Sequence, residues 1–128
     1  MGKRILIVED EPVICEVFLK VLGREGYEVE IAENGREGDK KLKEKNYDLI
    51  IIDIRTPIMD GKQLYSRIGE MHPEMIERII ITTGDTICCD IQRFLDKTGV
   101  TFLLKPFTSR ELKEVVEEAF KKIEDNVK

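Results

Sequence analysis

The feature that most constrains the fold is an alternation of strand-like and helix-like segments, repeated five times along the chain. The strand-like segments are short, mostly apolar and rich in β-branched residues, which is typical of strands in a buried sheet. They are Arg4–Val8, Tyr27–Ala32, Leu49–Ile52, Arg78–Thr82 and Thr101–Leu104. Strands that alternate with helices predict a parallel sheet, and right-handed crossovers place helices on both of its faces. We therefore expect an α/β fold with a doubly wound sheet.

The helix-like segments differ in how strongly the sequence supports them. Apolar stripes at helical spacing mark the first, third and fourth: Ile14–Leu22, Leu64–Met71 and Ile87–Lys97. The last begins with a capping box formed by Thr108 and Glu111. The second, Arg36–Lys45, has one large aliphatic residue and is interrupted by Gly38 and Asp39. We expect this second helix to be loosely held.

Length, charge and cysteine content narrow the possible classes of protein. The 128 residues are expected to form a single domain, residues 1–128. A net charge of −5 argues against a broad nucleic-acid-binding face. Apolar runs such as Leu49–Ile52 are far too short to cross a membrane. The three cysteines lack metal-ligand spacing, and the N-terminus runs directly into a strand. Both features predict a cytoplasmic protein.

Polar residues follow the strand-like segments at their carboxyl ends. In an open parallel sheet ligands bind beyond these ends, so the residues there are expected to meet. They are Glu9-Asp10-Glu11, Asp53, Thr82-Thr83 and Lys105-Pro106. The carboxylates would repel one another unless a cation lay between them. Oxygen ligands without Cys or His favour Mg²⁺, so the sequence predicts a magnesium site at this edge of the sheet.

A metal ion beside a carboxylate that is able to attack suits phosphoryl transfer to aspartate. Asp53 is the expected nucleophile. Mg²⁺ would be held by Asp10 and Asp53, with Glu9 bound through water, and would neutralise the phosphoryl oxygens. Lys105 and the hydroxyl of Thr83 would each bind a further phosphoryl oxygen. Because a second threonine precedes Thr83, the register of that strand decides which hydroxyl faces the site.

Four stretches together resemble the signature of response-regulator receiver domains of two-component signalling. They are Val8-Glu9-Asp10-Glu11-Pro12, Asp53-Ile54-Arg55-Thr56-Pro57-Ile58-Met59-Asp60-Gly61, Thr83-Gly84 and Lys105-Pro106-Phe107. Their spacing is similar to that of the single-domain chemotaxis regulator, and the resemblance covers the whole chain. It implies a flavodoxin-like (β/α)5 fold with five parallel strands in the order 2-1-3-4-5.

The resemblance also implies roles for particular residues. Asp53 would be the phosphoacceptor and would take the group from a phosphohistidine of a histidine kinase. Asp10 would be the main metal ligand, and the backbone carbonyl of Arg55 a further one. Thr83 and Phe102 match the switch pair, whose side chains move inward on phosphorylation. The surface of the fourth helix, fifth strand and fifth helix would then change and be read by an effector or phosphotransfer protein.

Three further implications come from the same resemblance. Such a domain is a signalling phosphoacceptor that catalyses its own phosphorylation and dephosphorylation, not an enzyme with a separate substrate. The Lys105-Pro106 bond matches one that is usually cis in the family. The stretches Thr83-Gly84-Asp85-Thr86 and Phe94-Leu95-Asp96-Lys97-Thr98-Gly99 resemble receivers at the C-termini of hybrid histidine kinases.

Two other classes use a similar order of strands and helices. Phosphatases of the haloacid-dehalogenase type also have an aspartate nucleophile after a buried strand, but their general acid lies two residues later, where this chain has Arg55. A flavodoxin-like carrier needs a first loop rich in Ser, Thr and Gly to hold a phosphate. Here that loop is Glu9-Asp10-Glu11, which would repel one. Both alternatives are therefore disfavoured.

Overall fold

The computed structural model describes residues 2–84 and 89–127, with side chains up to residue 125. Within these ranges the strands are β1 (Arg4–Val8), β2 (Glu28–Ala32), β3 (Leu49–Asp53), β4 (Ile79–Thr83) and β5 (Thr101–Leu104). All neighbouring pairs are parallel. The strand order is β2-β1-β3-β4-β5, which confirms the doubly wound, flavodoxin-like sheet.

Helices connect the strands and lie on both faces of the sheet. They are α1 (Pro12–Arg24), α2 (Gly35–Glu44), α3 (Gly61–Met71), α4 (Cys89–Thr98) and α5 (Ser109–Val127). A short 3-10 helix at Pro73–Arg78, which the sequence patterns did not predict, leads into β4. The fourth helix was expected to begin at Ile87, but residues 85–88 lie outside the described part of the chain.

Two apolar cores form, one on each face of the sheet. Helices α1 and α5 cover the face that we call the α1/α5 face, with buried Phe18, Val21, Leu22, Leu112 and Val116. Helices α2, α3 and α4 cover the opposite, α2–α4 face, with buried Leu42, Leu64, Ile68, Ile91 and Leu95. Full burial of one such side chain contributes about 1.5–3 kcal/mol. These two cores hold the central strands rigidly in place.

The register of the strands determines which residues at their ends share a face. Asp53 lies opposite Thr82, and Thr83 lies opposite Leu104. Ile51, Ile80 and Leu103 belong to the core of the α1/α5 face, and side chains alternate along a strand. Asp53, Thr82 and Lys105 each follow one of these three residues by two positions, so they lie on the α1/α5 face as well. Thr83, which is next to Thr82, lies on the opposite face. Strand β4 ends at Thr83, one residue later than expected.

Capping interactions begin the two helices that flank the site. The N-terminus of α3 has a capping box in which Asp60 accepts from the amide of Gln63 at 2.9 Å and Gln63 accepts from the amide of Asp60 at 3.0 Å. The predicted capping box of α5 is present: Thr108 and Glu111 exchange hydrogen bonds of 3.0 and 2.9 Å. These bonds satisfy amides that a helix leaves unpaired at its start.

Helix α2 is held more tightly than the sequence suggests. A Cβ atom at Gly38 would lie 2.9 Å from Cγ2 of Val8, so the absence of a side chain lets the helix approach the sheet. The next residue, Asp39, is buried and accepts a hydrogen bond of 2.7 Å from Nε of Arg67 in α3. The expectation of a loosely held helix was therefore wrong. The residues that weaken the helical pattern are the ones that bind α2 to its neighbours.

We expect Arg67→Met to lower the free energy of unfolding by about 1–2 kcal/mol, because it leaves the buried Asp39 carboxylate without its guanidinium. Arg67 is itself 38% exposed, which limits the loss. Urea denaturation would measure the change. Arg110→Met is the matched control, since its pair with Glu114 lies on the surface and is worth about 0.5 kcal/mol or less. Equal losses in the two variants would contradict a structural role for the Asp39–Arg67 pair.

Candidate functional site

The site lies at the carboxyl edge of the sheet, where Lys105 links two carboxylates that come from different strands. Its Nζ atom lies 2.8 Å from Oε1 of Glu9, which follows β1, and 3.1 Å from Oδ2 of Asp53, the last residue of β3. Glu9 is 1% exposed and Asp53 is 7% exposed. Two nearly buried carboxylates thus share one ammonium group.

A third carboxylate completes an acidic cluster. One oxygen each from Glu9, Asp10 and Asp53 lie within 4.8 Å of one another, and Asp10 is exposed while the other two are buried. Three carboxylate oxygens at this separation form a donor set that fits a hard divalent cation. The open side at Asp10 leaves room for the water molecules that such a cation retains. The residues present therefore fit a magnesium ion.

Burial and charge perturb the titration of these groups. Burial raises the pKa of Glu9 to about 7, and the neighbouring Asp53 carboxylate adds to the rise, although the hydrogen bond from Lys105 opposes it. Burial acts to lower the pKa of Lys105, but Glu9 and Asp53 outweigh it and the pKa is raised. The Lys105 ammonium therefore stays charged, and the Glu9 carboxylate depends on it or on another cation to remain ionised.

The loop between β3 and α3 fixes the position of the Asp53 carboxylate. The amide of Arg55 donates to Oδ1 of Asp53 at 3.1 Å. The hydroxyl of the buried Thr56 donates to the carbonyl of Met59 at 3.2 Å and closes the loop. A Cβ atom at Gly61 would lie 2.6 Å from Cα of Ile54, so only glycine lets α3 begin this close to the strand end. Both oxygens of Asp53 thus have a partner.

The two residues of the expected switch pair lie on the α2–α4 face. Thr83 ends β4 and is fully buried, whereas Phe102 in β5 is 42% exposed. Phe102 lies opposite Ile81, two residues before Thr83 on the same face of the sheet. The aromatic ring is therefore near the strand end that carries the hydroxyl, but is turned toward solvent. The Lys105–Pro106 bond is cis, as expected.

Most of the residues chosen from the sequence converge at this edge. Glu9, Asp10, Asp53 and Lys105 meet through side chains, and Arg55 contacts Asp53 through its backbone. Sequence reasoning gave no role to Thr82, whose side chain lies on the same face as Asp53 and is 1% exposed. The two adjacent threonines at a strand end were the sequence signal that could have pointed to Thr82. Only the register of the strands shows on which face each threonine lies.

None of the helices in the described ranges is long and apolar enough to cross a membrane.

Comparisons with known proteins agree with this geometry. The chain matches the family model of the response regulator receiver domain over residues 5–117. It is 36% identical over 110 residues to the transcriptional regulatory protein PcoR of Escherichia coli, covering 86% of this chain and 48% of PcoR. The chain spans about half or less of the length of the curated relatives it matches first.

Solved structures show the same similarity. A CheY-like receiver domain protein from Methanospirillum hungatei superposes with a TM-score of 0.89 at 32% identity, covering 98% of this chain and 99% of that one. The receiver domain of the sensor histidine kinase PA1611 from Pseudomonas aeruginosa gives a TM-score of 0.81 at 29% identity, covering 92% and 97%. The PA1611 structure holds a magnesium ion in its active site cleft.

We expect Lys105→Met to lower the free energy of unfolding in EDTA by about 1–3 kcal/mol, because the buried Glu9 and Asp53 carboxylates lose their shared counter-charge. Thermal or urea denaturation would measure the loss. Lys97→Met, which removes an exposed ammonium from α4, is the control and should change stability by about 0.5 kcal/mol or less. An unchanged stability for Lys105→Met would show that the ammonium does not neutralise the cluster.

Proposed function

The chain belongs to the response regulator receiver domain family, and from this premise we propose that Asp53 is the residue that accepts the phosphoryl group. Receiver domains are the phosphoaccepting modules of two-component signalling, so the function expected from the sequence is confirmed at the level of the family. We propose that residues 1–128 form one such domain. Membership in this family leaves the phosphatase and flavodoxin alternatives without support.

One observation carries the assignment of Asp53: its carboxylate lies both beside an ammonium group and within an acidic cluster. In the proposed reaction a carboxylate oxygen of Asp53 forms a bond to phosphorus as the P–N bond to the donor's imidazole breaks. The imidazole leaves with the bonding electron pair, and an acyl phosphate remains on Asp53. The amide of Arg55 and the ammonium of Lys105 keep the carboxylate oriented for this attack.

We propose Mg²⁺ as the cofactor of this site. Asp10 and Asp53 would bind it directly, Glu9 through water, and Arg55 through its backbone carbonyl. When bound, the ion would supply positive charge to the phosphoryl oxygens. The magnesium ion in the receiver domain of PA1611 supports this proposal.

Lys105 and Thr83 would bind the remaining phosphoryl oxygens. Lys105 already lies 3.1 Å from Asp53, and an ammonium on a flexible stem can follow the added group. Thr83 would donate its hydroxyl from the end of β4. Its movement toward Asp53 would open space on the α2–α4 face for the ring of Phe102, which is half exposed in this structure. The surface of α4, β5 and α5 would change as a result.

The partners and location follow from this chemistry. We propose a histidine kinase as phosphoryl donor, on the same or another chain, and an effector or phosphotransfer protein as the reader of the switched surface. Neither nucleic acid nor membrane is expected to bind this domain directly. Free thiols at Cys15 and Cys89 suit a cytoplasmic location. The domain would catalyse its own phosphorylation and dephosphorylation, since the attacking and stabilising groups all lie within it.

We expect acetyl phosphate with Mg²⁺ to add one phosphoryl group to the wild-type protein and none to Asp53→Asn, because the amide cannot form the acyl phosphate. Intact-protein mass spectrometry would measure the addition. Asp60→Asn, which changes a carboxylate at the N-terminus of α3, is the control and should still be phosphorylated. Phosphorylation that persists on Asp53→Asn would disprove the assignment.

We expect beryllofluoride, a phosphoryl mimic, to shift amide NMR resonances in α4, β5 and α5 as well as around Asp53. In Thr83→Val the shifts around Asp53 should remain, while those in α4, β5 and α5 should shrink several-fold, because the hydroxyl that couples the site to Phe102 is gone. The amide spectrum of each protein, recorded with and without the mimic, gives the comparison. Full propagation of the shifts in Thr83→Val would rule out this coupling.

A further inference from the structure

We infer that the hydroxyl of Thr82 is a further part of the site: once Asp53 carries a phosphoryl group, this hydroxyl accepts a hydrogen bond from the Lys105 ammonium and so positions Lys105 beside that group. This inference rests on the proposed role of Asp53. It goes beyond that role because it gives a function to a residue outside the metal cluster and the switch pair. It also gives the two adjacent threonines at the end of β4 different tasks.

The position of Thr82 in the sheet places it beside Asp53. Thr82 lies directly opposite Asp53 in β3 and opposite Leu103 in β5. Its side chain shares the α1/α5 face with both of them, two residues beyond Ile80 of the same core. Lys105, two residues beyond Leu103, takes this face as well. Thr82 is therefore the β4 member of the row that contains Asp53.

The hydroxyl of Thr82 is buried. Thr82 is 1% exposed, and among the described residues its Oγ1 atom has no hydrogen-bond partner. A buried hydroxyl without a partner lowers stability, and a valine of the same shape would avoid that cost. Its position next to the phosphorylation site suggests that the partner is supplied in another state of the site.

The Lys105 side chain passes over the end of β4. Lys105 follows β5, yet its Nζ bonds Glu9 after β1 and Asp53 at the end of β3. Because β4 lies between β3 and β5, the lysine stem must cross the carboxyl end of β4. Gly84 lies under this path: a Cβ atom there would be 3.8 Å from Cβ of Lys105. The stem therefore passes above the strand end that carries Thr82.

The Lys105 ammonium group can donate more than two hydrogen bonds. Lysine has three N–H donors, and within the described ranges Lys105 uses two of them, one to Glu9 and one to Asp53. Once Asp53 carries a phosphoryl group, Lys105 must move to bind a phosphoryl oxygen. The Thr82 oxygen is an acceptor on the same face and next to Asp53. A bond to it would hold the ammonium above β4 during this movement.

The test compares Thr82→Val, which removes the hydroxyl but keeps the shape, with Thr82→Ser, which keeps the hydroxyl. Thr101→Val is the control, because it makes the same change at the opposite end of β5. Two quantities are measured for each: the affinity for beryllofluoride in Mg²⁺, and the urea midpoint in EDTA. We expect Thr82→Val to bind about tenfold more weakly, the equivalent of about 1.4 kcal/mol, with a midpoint equal to or above that of wild type. Thr82→Ser and Thr101→Val should bind as wild type does.

A double-mutant cycle tests whether Thr82 acts through Lys105. In a Lys105→Met background, Thr82→Val should cause no further loss of beryllofluoride affinity. An equal loss in both backgrounds would overturn the positioning role. The positioning role would also be overturned if Thr82→Val had a higher urea midpoint but bound beryllofluoride as wild type does. The buried hydroxyl would then lower stability without contributing to binding. Failure of the proposed function is distinct from either result: wild-type protein and Asp53→Asn would then bind beryllofluoride equally well.

Discussion

The ion-pair bridge from Lys105 to Glu9 and Asp53 joins parts of the chain that are far apart in sequence, and the rest of the site depends on it. It brings the ends of β1, β3 and β5 to one point and crosses β4. Without the positive charge of Lys105, two nearly buried carboxylates would lie beside a third and repel one another. The bridge therefore holds the acidic cluster together while leaving Asp10 open to solvent.

The rigidity of the surrounding fold makes this bridge possible. Both faces of the central strands are covered by apolar cores, so the strand ends cannot separate to relieve the repulsion. The loop after β3 is equally constrained, because Gly61 packs against Ile54 and Thr56 closes the turn. Packing elsewhere in the molecule therefore compensates for the cost of placing like charges together at this site.

The alternation of side chains divides the site into two layers. Asp53, Thr82 and Lys105 belong to the α1/α5 face, where Lys105 also meets Glu9 and where phosphoryl chemistry is proposed. Thr83 and Phe102 belong to the α2–α4 face, where Thr83 is buried and the Phe102 ring is exposed. Adjacent residues in one strand therefore lie on different faces: Thr82 on the face of the proposed chemistry and Thr83 on the face of the proposed switch.

The sequence by itself determined the fold class, the strand order through the family resemblance, and the set of residues at the carboxyl edge. The fold class and the set of edge residues depend on periodicity and on position at a strand end, which are local and can be read along the chain, whereas the strand order was implied by the resemblance alone. Only the tertiary structure decided that Asp39 is buried against Arg67, that Phe102 is exposed, and that Thr82 shares a face with Asp53. Each of these depends on register and packing between distant segments, and a shift of one residue in register moves a side chain to the opposite face.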